Sequence, residues 1–159
     1  MDIAIAPAHE LVLTRDLNVP RARAFAAWTD QRQASLWWAP RAFVPLFCEM
    51  DVRPGGLWRR RLRAPDGTIV VKHGVYREIV APERLVFTYV TYDDVDDRTA
   101  DPETIVTVTF ADLGKGRTRL TLRHAAFRTE ADRLDHQGGW SGCLDRFAGF
   151  IAGARPIEN

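Results

Sequence analysis

The side chains able to do chemistry in this sequence are scattered rather than gathered into a motif. The basic run from Arg59 to Arg63 divides by strand alternation: Trp58, Arg60 and Leu62 share one face, while Arg59, Arg61 and Arg63 share the other. The second set reads as a solvated stripe. Arg60 is the residue of interest, because a guanidinium pointing inward must meet a carboxylate, a carbonyl or a ligand to offset its desolvation. A structural ion pair is the simpler of those expectations. His124 ends a strand on the parity of Leu120 and Leu122, where a hydrogen-bonded structural role competes with proton transfer. His73 shares a parity with Val75, Arg77 and Ile79, whereas Tyr76 and Glu78 take the other. Both sets mix polar and apolar members, so the inward side of that strand stays open. His136 precedes Trp140 by one helical turn and is expected either at a cavity mouth or simply exposed.

Several chemistries find no support. There is no phosphate-cradling glycine loop, zinc-type spacing, paired histidine helix or nucleophile elbow, and the only serines are Ser35 and Ser141. No catalytic residue, metal or cofactor is therefore assigned. Asp93, Asp94, Asp96, Asp97 and Asp101 cluster between Tyr92 and Pro102, but lack the glycine and terminal glutamate of a calcium loop. They read as a solvated loop. Cys48 and Cys143 read as small buried hydrophobes, not as a disulfide framework.

The elements that position these residues follow from punctuation and period. With 159 residues, the chain suits one domain, 1–159. Its formal charge of +1 gives no global attraction to nucleic acid or an anionic membrane. No segment is apolar for the length of a membrane span, and the first residues lack the features of a signal peptide, so a soluble cytoplasmic protein is expected. Leu11, Leu13 and Leu17 mark a half-buried first strand ending near Val19 and Pro20. A short helix is predicted from Arg21 to Asp30, and a second short turn carries Leu36, Trp37 and Trp38 before Pro40 stops it. Turns at Pro54-Gly55-Gly56, Pro65-Asp66-Gly67, Ala81-Pro82-Glu83-Arg84 and Gly114-Lys115-Gly116 then separate strands near 44–53, 57–64, 69–80, 84–92, 103–111 and 117–124. A long helix from Glu130 to Ala152, capped by Thr129, buries Trp140, Leu144, Phe147 and Ile151. Asp51 and Arg53 face outward beside the glycine turn and are expected to pair there.

The landmarks Arg15 with Val19-Pro20, Ala27-Trp28-Thr29-Asp30, Trp37-Trp38-Ala39-Pro40, Asp51 to Gly56 with Trp58, Gly74 to Ile79, Glu83 to Thr88 and Gly139-Trp140 jointly carry a resemblance. From about Leu11 to Gly153 the chain resembles the single-domain bacterial proteins related to the C-terminal domain of the activator of Hsp90 ATPase (AHSA1-like), within the START-like (SRPBCC) superfamily. Val19, where the family usually has alanine, is a mild departure. The resemblance implies an α+β helix-grip fold: about seven curved antiparallel strands around a long C-terminal helix, two short helices after strand one, and an apolar cavity. It leaves activity open, because fold does not fix function.

The leading expectation is a protein that binds a small, mostly apolar or aromatic ligand between sheet and helix. Trp28, Trp38, Phe43, Trp58, Phe87, Tyr89, Val108, Leu122, Trp140 and Leu144 would supply its walls, with Arg60, His73 and His124 orienting polar groups. A second reading is a polyketide cyclase or dehydratase in which His124, His73 or Tyr89 assists proton transfer. A third is a stress-linked interaction module with an exposed apolar patch and no ligand-sized cavity. An Hsp90-type partner is disfavoured, since this chain shows no additional N-terminal domain of the co-chaperone kind. Homodimerisation is expected, if at all, through an outer strand or the Trp37–Trp38 region.

Overall fold

The computed structural model describes residues 9–93 and 103–153. The acidic stretch from Asp94 to Pro102 lies outside them. Ten elements follow in order: β1 (Leu11–Leu17), α1 (Arg21–Thr29), α2 (Gln31–Trp37), β2 (Val44–Met50), β3 (Leu57–Arg63), β4 (Ile69–Val80), β5 (Arg84–Asp93), β6 (Thr104–Gly114), β7 (Arg117–Ala125) and α3 (Glu130–Ile151). The strands form one seven-stranded sheet in the order β1-β7-β6-β5-β4-β3-β2, antiparallel at every pairing. The sheet curls into a half-barrel that holds α3, giving the helix-grip α+β fold. Among the described residues no helix is long and apolar enough to cross a membrane.

Local sequence explains where these elements begin and end. The Asp30 side chain caps α2 by accepting from the Arg32 N–H, and Thr129 caps α3 by accepting from the Asp132 N–H, each satisfying a donor that the first helical turn leaves over. Strand β2 stops at Met50, short of the expected 53, because the chain turns at once: Arg53 N donates to Asp51 O and Gly56 N to Arg53 O. The Arg53 side chain closes that turn on Asp51 at 2.9 Å, the outward pairing expected from alternation. Strand β6 runs on to Gly114.

The core collects the inner faces of both layers. Leu120 and Leu122 from β7, Val106, Val108 and Phe110 from β6, and Leu85 and Phe87 from β5 are buried with Leu144, Phe147 and Ile151 of α3. Each such side chain contributes roughly 1.5–3 kcal/mol by leaving water. An aromatic hub forms where α1 meets α3: the Trp28 ring lies 4.8 Å from Trp37, 5.8 Å from Phe147 and 6.2 Å from Trp140, the last pair stacked. Trp37 is 1% exposed and its Nε1–H donates to Ala27 O. The Trp37–Trp38 region is therefore interior, which removes it as a dimerisation surface.

The parity of β4, open from sequence, has a definite and unusual answer. Lys72, Gly74 and Tyr76 are buried on the face shared with Trp58 and Arg60. A register shift between Tyr76 and Glu78 then inserts Arg77, so that Ile79 packs on the core from the other parity.

Candidate functional site

A cavity of about 450 Å³ opens between the first half of α3, the chain joining α2 to β2, and the inner ends of β4 and β5. Trp38, Tyr89 and Trp140 form its apolar wall, with Phe43 and Pro40 beside them. Lys72 and Thr91 rise from the sheet floor, and His136, Gly138, Gly139 and Cys143 face in from α3. Arg41, Leu134 and Asp135 are exposed and mark the mouth.

Each wall is held by identifiable contacts. The connection over 39–43 is tied to α3 by Arg146, which donates to Phe43 O at 3.0 Å, and by Arg41, which reaches Asp145 at 2.9 Å. Arg15 of β1 donates to the same carboxylate and to Ser141 Oγ, binding sheet to helix. Trp58 crosses β4 to donate its Nε1–H to Thr88 O at 3.1 Å. It passes over Gly74, where a Cβ would overlap the Thr88 carbonyl and stand 2.6 Å from the indole nitrogen. No residue but glycine leaves room for that crossing. Trp58 in turn supports Trp38 and Tyr89, at ring separations of 6.0 and 5.7 Å.

Behind the cavity wall a chain of hydrogen bonds fixes Trp140. Its Nε1–H donates to His124 Nδ1 at 2.9 Å, which makes Nδ1 an acceptor and places the imidazole proton on Nε2. Nε2 lies 2.6 Å from Thr104 Oγ1, and the threonine hydroxyl donates to Tyr89 O at 3.0 Å. Burial, with His136 and Lys72 adding positive charge nearby, holds His124 well below the usual imidazole range. It is a neutral structural ring with both nitrogens engaged.

Arg60 departs from the expected ion pair. It is 5% exposed, yet its terminal nitrogens meet Cys48 Sγ at 2.9 Å and Met50 Sδ at 3.6 Å, and its guanidinium lies 4.3 Å over the Trp38 ring. Soft sulfur and π-electrons stand where a carboxylate was expected. Burial pushes the Cys48 thiol up while Arg60 pulls it down, and burial pushes Cys143 up to about 12, so both are thiols at neutral pH.

The thirteen residues nominated from sequence do not form one lining. Trp38, Phe43, Tyr89 and Trp140 border the large cavity. Trp28, Trp58, Arg60 and Phe87 surround a void of about 10 Å³ in the middle of the core, and Arg60 also borders a separate cavity of about 250 Å³ beside β2. Val108, Leu122 and Leu144 are packed with no exposure, and His124 stands behind Trp140. His73 is the clear correction: it lies between Lys72 and Gly74 on the other parity, opposite the exposed Arg59, and so faces away from the cavity. Partial burial and Arg59 lower its pKa.

The family model described as activator of Hsp90 ATPase homolog 1-like protein matches residues 18–152. The chain belongs to that family. Solved structures of similar shape cover most of the chain. An AHSA1 protein from Silicibacter pomeroyi superposes with a TM-score of 0.78 at 24% identity, covering 90% of this chain and 97% of its own. A Rhizobium leguminosarum protein described as putative and uncharacterized gives 0.73 at 27%, covering 91% and 94%. A Chromobacterium violaceum protein gives 0.73 at 26%, covering 90% and 96%. No curated protein matches the sequence.

Within this homolog 1-like chain, sequence reading missed Lys72, Thr91 and Cys143 as cavity residues, and named His136 only as a candidate for the mouth. A signal for Lys72 existed: it shares the parity of Gly74 and Tyr76, and it pairs in register with Arg60. Among the described residues, no group of three or more His, Cys, Asp or Glu side chains is placed to hold a metal ion.

Proposed function

We propose that the protein is a cytoplasmic binding protein that holds a small, mostly apolar molecule between the sheet and α3, with Trp38, Tyr89 and Trp140 as its contact surface. The observation that carries this reading is the cavity of about 450 Å³, whose size and aromatic lining fall in the range of small-molecule sites. The two free cysteines are in keeping with a reducing compartment.

The rival readings have less support. For a cyclase, His124 offers no free nitrogen and His73 faces away, so of the three groups expected to assist proton transfer Tyr89 alone borders the cavity, with His136 beside it. For an interaction module, the exposed large apolar side chains among the described residues are spread over six elements, β1, β2, β3, β4, β6 and α3. The exposed Leu46 and Phe47 on the outer strand β2 are the best candidates for a homodimer contact.

Native mass spectrometry of gently purified protein tests the binding reading, with Gly139→Phe as a cavity-blocking variant. The expected result is an added mass that is lost on denaturation and missing from the folded variant. An adduct that survives in Gly139→Phe would place the ligand elsewhere. A clean mass, together with no thermal shift from small hydrophobic compounds, would overturn the reading.

A further inference from the structure

Arg60 on β3 and Lys72 on β4 are direct cross-strand partners, and both point into the protein. Like charges at that position repel, and each loses hydration, since Arg60 is 5% and Lys72 8% exposed. Among the described residues, neither has a carboxylate within ion-pair distance. Arg60 is at least shielded by sulfur and two indole rings. Lys72 has much less: Thr91 Oγ1 at 3.4 Å and the Tyr89 ring at 5.2 Å. A buried ammonium so weakly compensated normally has an anion to meet.

Lys72 belongs to the lining of the cavity of about 450 Å³, whereas Arg60 lies behind Trp38 and outside that lining. Among the described residues, the carboxylate bordering the cavity is that of Asp135, exposed at the mouth and not paired with Lys72. The cavity thus combines an aromatic wall with a cationic floor whose charge is reinforced from behind. We infer that its ligand is an organic monoanion: a carboxylate carried on an apolar aromatic or aliphatic body, with the carboxylate against Lys72 Nζ and the Thr91 hydroxyl and the body against Trp38, Tyr89 and Trp140. A phosphate dianion fits less well, because the floor supplies only a single ammonium and a hydroxyl, and Arg41, the arginine among the lining residues, stands exposed at the mouth with its guanidinium on Asp145.

This inference rests on the cavity being the binding site, and matched compounds separate the two claims. Isothermal titration at neutral pH would compare 2-naphthoate with 2-naphthamide, and octanoate with octanamide. In at least one pair the carboxylate should bind about tenfold or more tighter than its amide. Lys72→Met should reduce that preference to about twofold or less, and Lys72→Arg should retain it. A cooperative thermal transition in each variant establishes that it is folded. Amides that bind as well as carboxylates, or a preference that survives Lys72→Met, would overturn the anion assignment and leave the cavity reading standing. No binding by any of the compounds would overturn both.

Discussion

Around Trp28 the concave face of the sheet is filled, with Trp37, Phe110, Trp140 and Phe147 in ring contact and only a void of about 10 Å³ beside them. Around Tyr89 the same face opens into a cavity of about 450 Å³, though Trp38, Trp58 and Trp140 are no smaller than the rings of the hub. Side-chain size therefore does not separate the two regions. Helix placement does. The helices lie closest to β1, β2, β6 and β7, while β4 and β5 carry no comparable helix contact. Over those strands, the 39–43 connection and the first half of α3 stand off from the sheet. A hub between α1 and α3 can hold the fold while the other end stays hollow.

The largest expected effect comes from removing a filler. Phe147→Ala should cost about 3–5 kcal/mol in urea unfolding, and a loss below about 1 kcal/mol would show that the hub is not what holds α3. His124→Leu should come next, because it strips a partner from both Trp140 Nε1 and Thr104 Oγ1 while keeping the volume. Its expected cost is about 2–3 kcal/mol at neutral pH. The same residue gives a pH signature. Its folded pKa lies well below the 6.5 of the unfolded chain, so the unfolded state takes up the proton first as pH falls. Wild-type stability should be full above that value and decline as pH drops from 6.5 toward the depressed folded pKa. His73 contributes in the same direction, with a smaller burial behind it. Unfolding at several pH values should show a flatter profile for His124→Leu, and parallel profiles would mean that the ring is not held neutral.

Two glycines on α3 sharpen the contrast further. A Cβ at Gly142 would stand 2.8 Å from Arg41 N and 3.0 Å from Arg41 Cβ, so Gly142→Ala should push the connection off the helix and cost about 1 kcal/mol or more. At Gly138 a Cβ meets nothing within 4 Å. Gly138→Ala should therefore raise stability by about 0.5–1 kcal/mol through helix propensity alone. A destabilised Gly138→Ala protein would mean that the cavity side of α3 is tighter than its geometry indicates.

Much of the frame was legible in the sequence because single periods governed it. Trp140, Leu144, Phe147 and Ile151 recur at helical spacing, and all four are buried. Trp58, Arg60 and Leu62 alternate with more exposed arginines, as a half-buried strand requires. Strand β4 resisted because no single parity describes it: Tyr76 and Ile79 both face the core, on opposite sides of the inserted Arg77. The site was harder to read for another reason. Wall and filler are made of the same residue types, so Val108, Leu122 and Leu144 could not be told from Tyr89 without knowing where the helices stand. Lys72 was missed because a lysine in a strand ordinarily marks solvent, and its parity with Gly74 and Tyr76 tells otherwise only once the register opposite Arg60 is known.

The donor chain running from Trp140 through His124 and Thr104 to the Tyr89 carbonyl also supplies a clock. The Trp140 indole proton is enclosed between α3 and β7, and deuterium can replace it only when the helix parts from the sheet. Its exchange rate, followed by NMR without any attached label, would report how often the molecule loosens its grip. If guest molecules enter by that motion, their fastest arrival is set by the same rate.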